Sequence, residues 1–351
     1  MRIRPLALLC AGALALSACA STPTDAPASA SSHEATQSAQ ATPAAEAHDH
    51  QLDQVRAIVP QTMAFGAPMA TFGDHGNLDS VAKAHSVSNW DGVEQLKSHL
   101  MNGEAELAAT PAYVAANLYN KGIDVRLVGP VVWGMLFVLA PEGTTEGDWE
   151  AMRGKKVAIP LPGNMPDLVF SYLLSKNNLT KDDIEPVYAE DGQQAIGLLM
   201  KGEVDWVVLP EHAATIAQAK AAENGKNLTR ALDLQQEWAK VTGKEARFPM
   251  AGLVMPGALV DEHPELVDAV IAEVKAGVEK ANAGDKATLE KIAQHYDLPV
   301  PVVEKVIPRL QLNMVPASEA REAYEDFLTR LGEVNPDIYG GKLPDDRFYA
   351  G

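Results

Sequence analysis

The sequence predicts an α/β fold of two lobes, and three observations carry that prediction. Short apolar segments alternate with helix-like segments from about residue 54 onward, which is typical of strands followed by helices. One α/β unit occurs twice in the chain. With 351 residues, 46% of them hydrophobic, the chain is long enough to build two hydrophobic cores. The alternation also predicts sheets that are mainly parallel.

The repeat is clearest around a Gly-Glu turn. Residues 91–116 read DGVEQLKSHLMNGEAELAATPAYVAA, and residues 191–215 read DGQQAIGLLMKGEVDWVVLPEHAAT. Each copy predicts a helix, a glycine with positive φ that ends the helix, a strand, and a proline in the first turn of the next helix. Two such units predict two similar lobes, with a chance match between common turns as the alternative.

The individual elements follow from the same patterns. The C-terminal part, from Pro264 on, is predicted to be almost entirely helical, with interruptions at Gly284, Pro299, Pro308 and Pro316. Strands are predicted at residues 55–59, 85–90, 106–109, 125–128, 157–160, 184–189 and 205–209, and helices at residues 92–102, 111–120, 165–176, 193–200 and 212–224.

The first residues indicate export and lipid attachment. Arg2 and Arg4 precede an apolar run that is shorter than the roughly 20 residues needed to span a bilayer. The run ends in Leu-Ser-Ala-Cys, which resembles the bacterial lipobox, so residues 1–18 are predicted to be a signal peptide and Cys19 to be acylated. An ordinary signal peptide cut near Ala20 is the alternative. Residues 19–52 are small and polar, which predicts a flexible tether.

Charge and cysteine content narrow the function. The formal charge of −18 becomes −20 once Arg2 and Arg4 are removed, which argues against a nucleic-acid partner. It also argues against electrostatic binding to anionic lipid, so membrane attachment is left to the acyl chains. Because Cys10 and Cys19 are the only cysteines, the folded part has neither a disulfide nor a cysteine ligand for a metal.

The chain resembles the type 2 periplasmic binding proteins, and most of all the nitrate, sulfonate and thiamine-precursor group of ABC-transporter solute-binding proteins. The resemblance is carried by the paired LM-x-G-E-x-(D/E) turns, the strand-like residues 134–139 before Pro141, and MRGKKVAIP at residues 152–160. It covers about residues 53–335.

The resemblance implies two α/β lobes joined by two hinge strands, at residues 133–140 and 250–256, with the C-terminal helices on lobe 1. Lobe 1 would comprise residues 53–140 and 250–351, and lobe 2 residues 141–249. It further implies capture of a small molecule by hinge closure and its delivery to an ABC permease. Together with the lipobox this predicts a periplasmic monomer that is anchored in the inner or the outer membrane.

The ligand is expected beyond the carboxyl ends of the strands, near the first turns of helices. The loops there offer aromatics, methionines and acids, and Asp167 offsets the positive end of its helix. This composition favours a neutral or cationic organic ligand, such as a flat heterocycle stacked on Trp90 or Trp133, over a small anion. The predicted ligand-binding residues are Gln61, Thr62, Met63, Phe65, Trp90, Thr110, Tyr113, Trp133, Asn164, Met165, Glu190, Glu211, His212 and Met250.

Several of these residues also have a purely structural interpretation. Trp133 and Met250 could pack the hinge, Tyr113 could belong to the core, and Glu190 and Glu211 could simply begin helices.

Three other functions stay open. An enzyme on the same fold is one, although the chain lacks G-x-S-x-G, H-E-x-x-H, P-loop and C-x-x-C motifs, so we expect neither catalysis nor a cofactor. A metal- or small-anion-binding protein on the same fold is the second, and for a metal Asp74-His75 and Glu211-His212 could share a cation. A lipoprotein that senses a ligand without transporting it is the third.

Overall fold

The strands form two five-stranded sheets of the same design. The computed structural model describes residues 51–351. In lobe 1 the strands are β1 (Val55–Pro60), β2 (His85–Trp90), β3 (Leu107–Pro111), β4 (Val125–Val132) and β10 (Ala251–Pro256), in the order β2-β1-β3-β10-β4. In lobe 2 they are β5 (Leu136–Pro141), β6 (Lys156–Pro160), β7 (Glu185–Ala189), β8 (Trp206–Pro210) and β9 (Leu228–Asp233), in the order β7-β6-β8-β5-β9. The predicted two-lobed α/β fold is confirmed.

In each sheet four of the five strands run in one direction, as predicted, and one strand, which the local pattern does not predict, is reversed. In lobe 1, β1 pairs in parallel with β2 and β3, whereas β10 runs antiparallel to β3 and β4. In lobe 2, β6 pairs in parallel with β7 and β8, whereas β5 runs antiparallel to β8 and β9. The physical reason is that the chain crosses between lobes twice. Each crossing delivers one strand, β5 or β10, that enters its sheet in the opposite direction.

Each helix that was predicted before Pro264 begins and ends within one or two residues of its predicted bounds. The short α1 and the segment that forms β9, α7 and α8 are additional elements that the apolar pattern does not predict. The helices are α1 (Met63–Gly66), α2 (Val93–Met101), α3 (Ala112–Asn120), α4 (Met165–Lys176), α5 (Gly192–Lys201), α6 (Glu211–Glu223), α7 (Leu234–Thr242), α8 (Gly257–Glu262), α9 (Pro264–Asn282), α10 (Lys286–His295), α11 (Val300–Val306) and α12 (Ala317–Val334).

The sequence repeat is a structural repeat. The unit α2-β3-α3 in lobe 1 corresponds to α5-β8-α6 in lobe 2. Gly202 ends α5 at φ 74°, and Gly103 lies just beyond α2 at φ 65°, so both need the left-handed conformation that glycine adopts freely. Pro111 and Pro210 stand one residue earlier than predicted, as the N-caps of α3 and α6, because each also ends its strand in extended backbone.

The predicted signal peptide, Cys19 and most of the predicted tether lie outside the described residues. Leu52 pairs with lobe 1, because its N–H donates to the Val81 carbonyl and its carbonyl accepts from the Lys83 N–H, both at 2.9 Å. Within residues 51–351, none of the helices combines the length and apolar character required to cross a membrane.

The last helix connects the two lobes. The C-terminal helices pack on lobe 1, as the resemblance implies, and α12 contacts both β4 of lobe 1 and α4 of lobe 2. Phe327 of α12 is fully buried, with its ring centroid 5.6 Å from that of Trp238 and 5.4 Å from that of Phe248. On the same helix, the Arg330 guanidinium donates to the Tyr172 hydroxyl at 2.8 Å. A shared aromatic core therefore fixes one side of the interface between lobes.

We predict that Phe327→Ala destabilises both lobes together. Removing a fully buried phenylalanine leaves a cavity and typically costs about 3–5 kcal/mol. Urea unfolding followed by circular dichroism should show a single transition at a lower midpoint, with Phe327→Leu between the alanine variant and wild type. A loss below about 1 kcal/mol would contradict a shared core at this position.

Candidate functional site

The predicted ligand residues lie where strands end and helices begin. In lobe 1, Thr62 is the N-cap of α1, Met63 and Phe65 are buried within α1, Trp90 ends β2, and Thr110 lies near the end of β3. In lobe 2, Asn164 is the N-cap of α4, Met165 begins that helix, and Glu211 and His212 begin α6. Gln61 and Glu190 are exposed at the ends of β1 and β7.

One hydrogen bond joins the strand-end edges of the two lobes directly. The Tyr113 hydroxyl, at the start of α3, donates to Asn164 Oδ1 at 2.9 Å. Burial raises the pKa of Tyr113 to about 12, so the hydroxyl keeps its proton at neutral pH and can donate. Two predicted ligand residues from different lobes are thus in contact.

Glu211 forms a second link between the lobes. Its carboxylate is fully buried and accepts from Arg230 of lobe 2 at 2.6 and 3.0 Å and from the Thr215 hydroxyl at 2.7 Å. Arg309, in the turn after α11 of lobe 1, donates to the same carboxylate at 3.1 Å. Burial raises the pKa of Glu211, while the two guanidinium charges oppose that rise. Both carboxylate oxygens are already engaged, so a ligand would meet a paired acid here.

A second buried carboxylate occupies the first turn of α4. Asp167 accepts from the Gly163 N–H at 2.8 Å and from the Lys181 ammonium at 2.5 Å. The Asp167 carboxylate thereby lies at the start of α4, where the helix dipole favours a negative charge. Both lobe 2 helix starts in the predicted site therefore carry a buried acid: Asp167 is paired with Lys181, and Glu211 with one arginine from each lobe.

Three buried polar atoms at or near these strand ends have no hydrogen-bond partner in the protein. They are Thr110 Oγ1, His212 Nδ1 and the Tyr296 hydroxyl oxygen. Leaving such a group unpaired typically costs about 1–3 kcal/mol, so unpaired atoms in a native structure call for an explanation. Within residues 51–351, Asn120 and Arg126 each have one further unpaired atom, but the same side chains make other hydrogen bonds.

Tyr296 was not among the predicted ligand residues. It follows α10 in the C-terminal helical part, whereas the ligand was expected near segments that follow strands. In the sequence, Tyr296 is a tyrosine between two predicted helices, and that position alone does not predict a ligand contact.

His212 is a neutral imidazole at physiological pH. Burial lowers the pKa of His212 from 6.5 to about 4. The ring can therefore offer one N–H donor and one nitrogen acceptor, without a charge.

The predicted hinge residues pack the hinge. The Trp133 indole N–H donates to the Asn313 carbonyl at 2.8 Å, and the Arg247 guanidinium lies 4.8 Å from the Trp133 ring centroid. Trp133 lines a cavity of about 290 Å³ whose other walls include Trp238, Phe248 and acids of α12, and none of the strand-end residues lines it. The Met250 N–H donates to the Val132 carbonyl at 2.8 Å. A ligand role for Trp133 and Met250 stays a prediction.

Trp90 is positioned to offer its ring. Its indole N–H donates to the Ala109 carbonyl at 3.1 Å, and the side chain is 6% exposed. The polar edge is thus satisfied within lobe 1, so any ligand contact would be through the ring.

The acid-histidine pairs do not form a metal site among the described residues, where no group of three or more His, Cys, Asp or Glu side chains could hold an ion. Asp74 pairs with Lys291 at 2.5 Å. His75 contacts the Thr71 hydroxyl and the Lys280 ammonium, each at 3.1 Å.

Comparison with known proteins identifies the fold. No protein-family model matches the chain, and no curated protein does. Solved structures do match. An ABC transporter protein from Parabacteroides distasonis is 24% identical with a TM-score of 0.69, and the match covers 85% of this chain and 99% of that one. The periplasmic aliphatic sulphonate binding protein SsuA from Escherichia coli is 16% identical with a TM-score of 0.67, covering 85% and 97%.

A third match is the periplasmic nitrate-binding protein NrtA from Synechocystis, 13% identical with a TM-score of 0.58, covering 84% of this chain and 83% of that one. At these identities the likeness establishes the fold. That fold is the two-lobed one of periplasmic solute-binding proteins, as the resemblance in the sequence implies.

We predict that His212 makes the protein less stable in mild acid. An unfolded histidine binds a proton near pH 6.5, whereas folded His212 does so only near pH 4. Between these values the unfolded state binds more protons, so the free energy of unfolding falls as the pH is lowered, on the order of 1 kcal/mol per pH unit. His212→Gln should show a shallower decline in urea unfolding over this range. Identical pH profiles for the two proteins would contradict a buried neutral imidazole.

Proposed function

We propose that this chain is the solute-binding component of an ABC transporter, and that it captures a small organic molecule between its lobes outside the inner membrane. The observation that carries the proposal is the juxtaposition of strand ends from two similar lobes, linked by Tyr113 and Asn164 at 2.9 Å. In α/β folds this edge is where ligands bind. The shared fold with transport binding proteins for sulphonate and nitrate supports the same function.

Capture by closure is the proposed mechanism. A ligand that contacts both lobes favours the arrangement in which they meet, by its difference in affinity between open and closed forms. The closed form would then be the one that an ABC permease accepts. We propose no catalytic step, and we propose that the protein acts as a monomer.

The proposed ligand is neutral or cationic rather than a small anion. The starts of α4 and α6 are the places where an anion would gain most from helix dipoles. Each is already occupied by a carboxylate, Asp167 or Glu211. The protein's own carboxylates thus already use both helix starts, so an incoming anion would gain little from either dipole, and a neutral organic molecule does not need that gain.

We further propose that the protein is held in the periplasm by a lipid on Cys19. This rests on the sequence at the start of the chain, Leu16-Ser17-Ala18-Cys19. A predicted tether would leave the two lobes free to meet a permease at some distance from the lipid.

The direct test of capture is to identify what the protein carries. Protein purified from its own host without denaturation should release a small organic molecule that is detected by mass spectrometry. The same molecule, added back to refolded protein, should raise the melting temperature, because binding to the folded state alone stabilises it. Protein that carries nothing, and that no extract of its host stabilises, would contradict a solute-binding function.

We predict that Cys19→Ser moves the protein from the membrane fraction to the soluble periplasmic fraction, because the acylated thiol would be lost. Thermal stabilisation by the carried molecule should be unchanged. Cys10→Ser is the matched control and should leave the protein on the membrane, since that residue lies in the predicted signal peptide. Retention of Cys19→Ser on the membrane would refute the lipid anchor.

A further inference from the structure

We infer that the cleft recognises an uncharged, hydrogen-bonding ligand through Thr110, His212 and Tyr296, with Tyr296 as a ligand contact supplied by the C-terminal helices. This inference rests on the proposed solute-binding function and specifies the ligand class and the residues that select it.

The three unpaired atoms belong to separate segments that meet at one short helix. α1 contacts the strand β3, which carries Thr110, and it contacts α6, which carries His212. Tyr296, although distant in sequence, contacts the same helix. A Cβ atom built on Gly66, the last residue of α1, would lie only 1.5 Å from the Tyr296 hydroxyl oxygen. Lobe 1 thus supplies two hydroxyls and lobe 2 supplies an imidazole nitrogen around α1.

The close approach of Tyr296 requires glycine at position 66. Any side chain there would occupy the space of the hydroxyl and move the ring away. The Gly66 backbone has an ordinary negative φ of −92°, so the glycine is not needed for its conformation. The glycine is required for space, and that space is filled by a hydroxyl that has no protein partner.

The chemistry of these groups selects against charge. Burial raises the pKa of Tyr296, and burial lowers that of His212, so both side chains are neutral at physiological pH. Two hydroxyls and a neutral imidazole offer donors and acceptors in a fixed arrangement. The buried carboxylates of the predicted site, Asp167 and Glu211, are already paired with Lys181, Arg230 and Arg309. A cationic ligand would therefore find no free buried acid among the predicted contacts.

The probe for the test is a small-molecule extract of Gram-negative cells, divided by charge. Ion exchange at neutral pH first gives an anionic, a cationic and an unretained fraction, and a cation exchanger under acid conditions then removes zwitterions from the unretained fraction, which leaves the neutral molecules. Each is added to full-length Cys19→Ser protein that has been refolded from urea to remove any carried molecule. We expect the neutral fraction alone to raise the melting temperature, by at least about 2 °C.

Single substitutions test whether the Tyr296 and Thr110 hydroxyls contact the ligand. Tyr296→Phe removes a hydroxyl without a protein partner, so the ligand-free protein should melt at or above the wild-type temperature. We expect the neutral fraction to be needed at about fivefold higher concentration for half of the shift, as for the loss of one hydrogen bond. Thr110→Val keeps the side-chain shape but removes the hydroxyl, and we expect it to need a similarly higher concentration of the neutral fraction. Tyr349→Phe is the matched control and should respond like wild type, because its hydroxyl bonds Glu325 in α12.

Each outcome has a distinct meaning. Stabilisation by the anionic or cationic fraction alone would overturn the inference about charge and leave the proposed solute-binding function intact. An undiminished response of both Tyr296→Phe and Thr110→Val would overturn the assignment of the contacts. The absence of stabilisation by all three fractions would count against the proposed function itself, and the inference would fall with it.

Discussion

The rest of the structure depends on two chain crossings that are bonded to each other. The Phe248 N–H donates to the Trp133 carbonyl at 2.9 Å, and the Met250 N–H donates to the Val132 carbonyl at 2.8 Å. Because the outgoing and returning segments are held side by side, the two lobes are joined at one hinge, about which they can open and close. Strand-end residues of the two lobes meet at Tyr113 and Asn164, and α12 packs against both lobes through the aromatic cluster around Phe327.

The charges near the strand ends are set by the cations that pair with two buried carboxylates. Glu211 and Asp167 stand at helix starts, where a carboxylate gains from the dipole but loses water. Arg230, Arg309 and Lys181 compensate that loss. Both carboxylates are thereby paired, and three buried atoms without a protein partner belong to uncharged groups: two hydroxyls and one imidazole. A cleft of this kind would distinguish ligands by the placement of hydrogen bonds and by shape.

Sequence reasoning succeeded where the signal is local and periodic. The Gly-Glu turns and the prolines at 111 and 210 predicted the duplicated unit, because glycine C-caps and proline helix starts have conformational requirements that can be read from residue type. The resemblance to binding proteins supplied the two crossings, and the strand-end rule placed Tyr113 and Asn164, which are in contact.

The failures have physical causes of the same kind. Strand direction in β5 and β10 depends on crossings between lobes, and the local pattern of a strand is the same in both directions. The partners of Glu211 come from residues 19 and 98 positions away, so its charge balance cannot be read from its neighbours in sequence. Tyr296 contacts Gly66 of α1 across about 230 residues of sequence, and such a long-range contact has no periodic signal.

The most direct test of the central claim is a crystal structure of the protein purified natively from its host. The account predicts an ordered organic molecule between the lobes, within hydrogen-bonding distance of the Thr110 and Tyr296 hydroxyls and of His212. Strand ends packed directly against one another, with those three atoms rotated onto protein partners and no molecule between them, would contradict it.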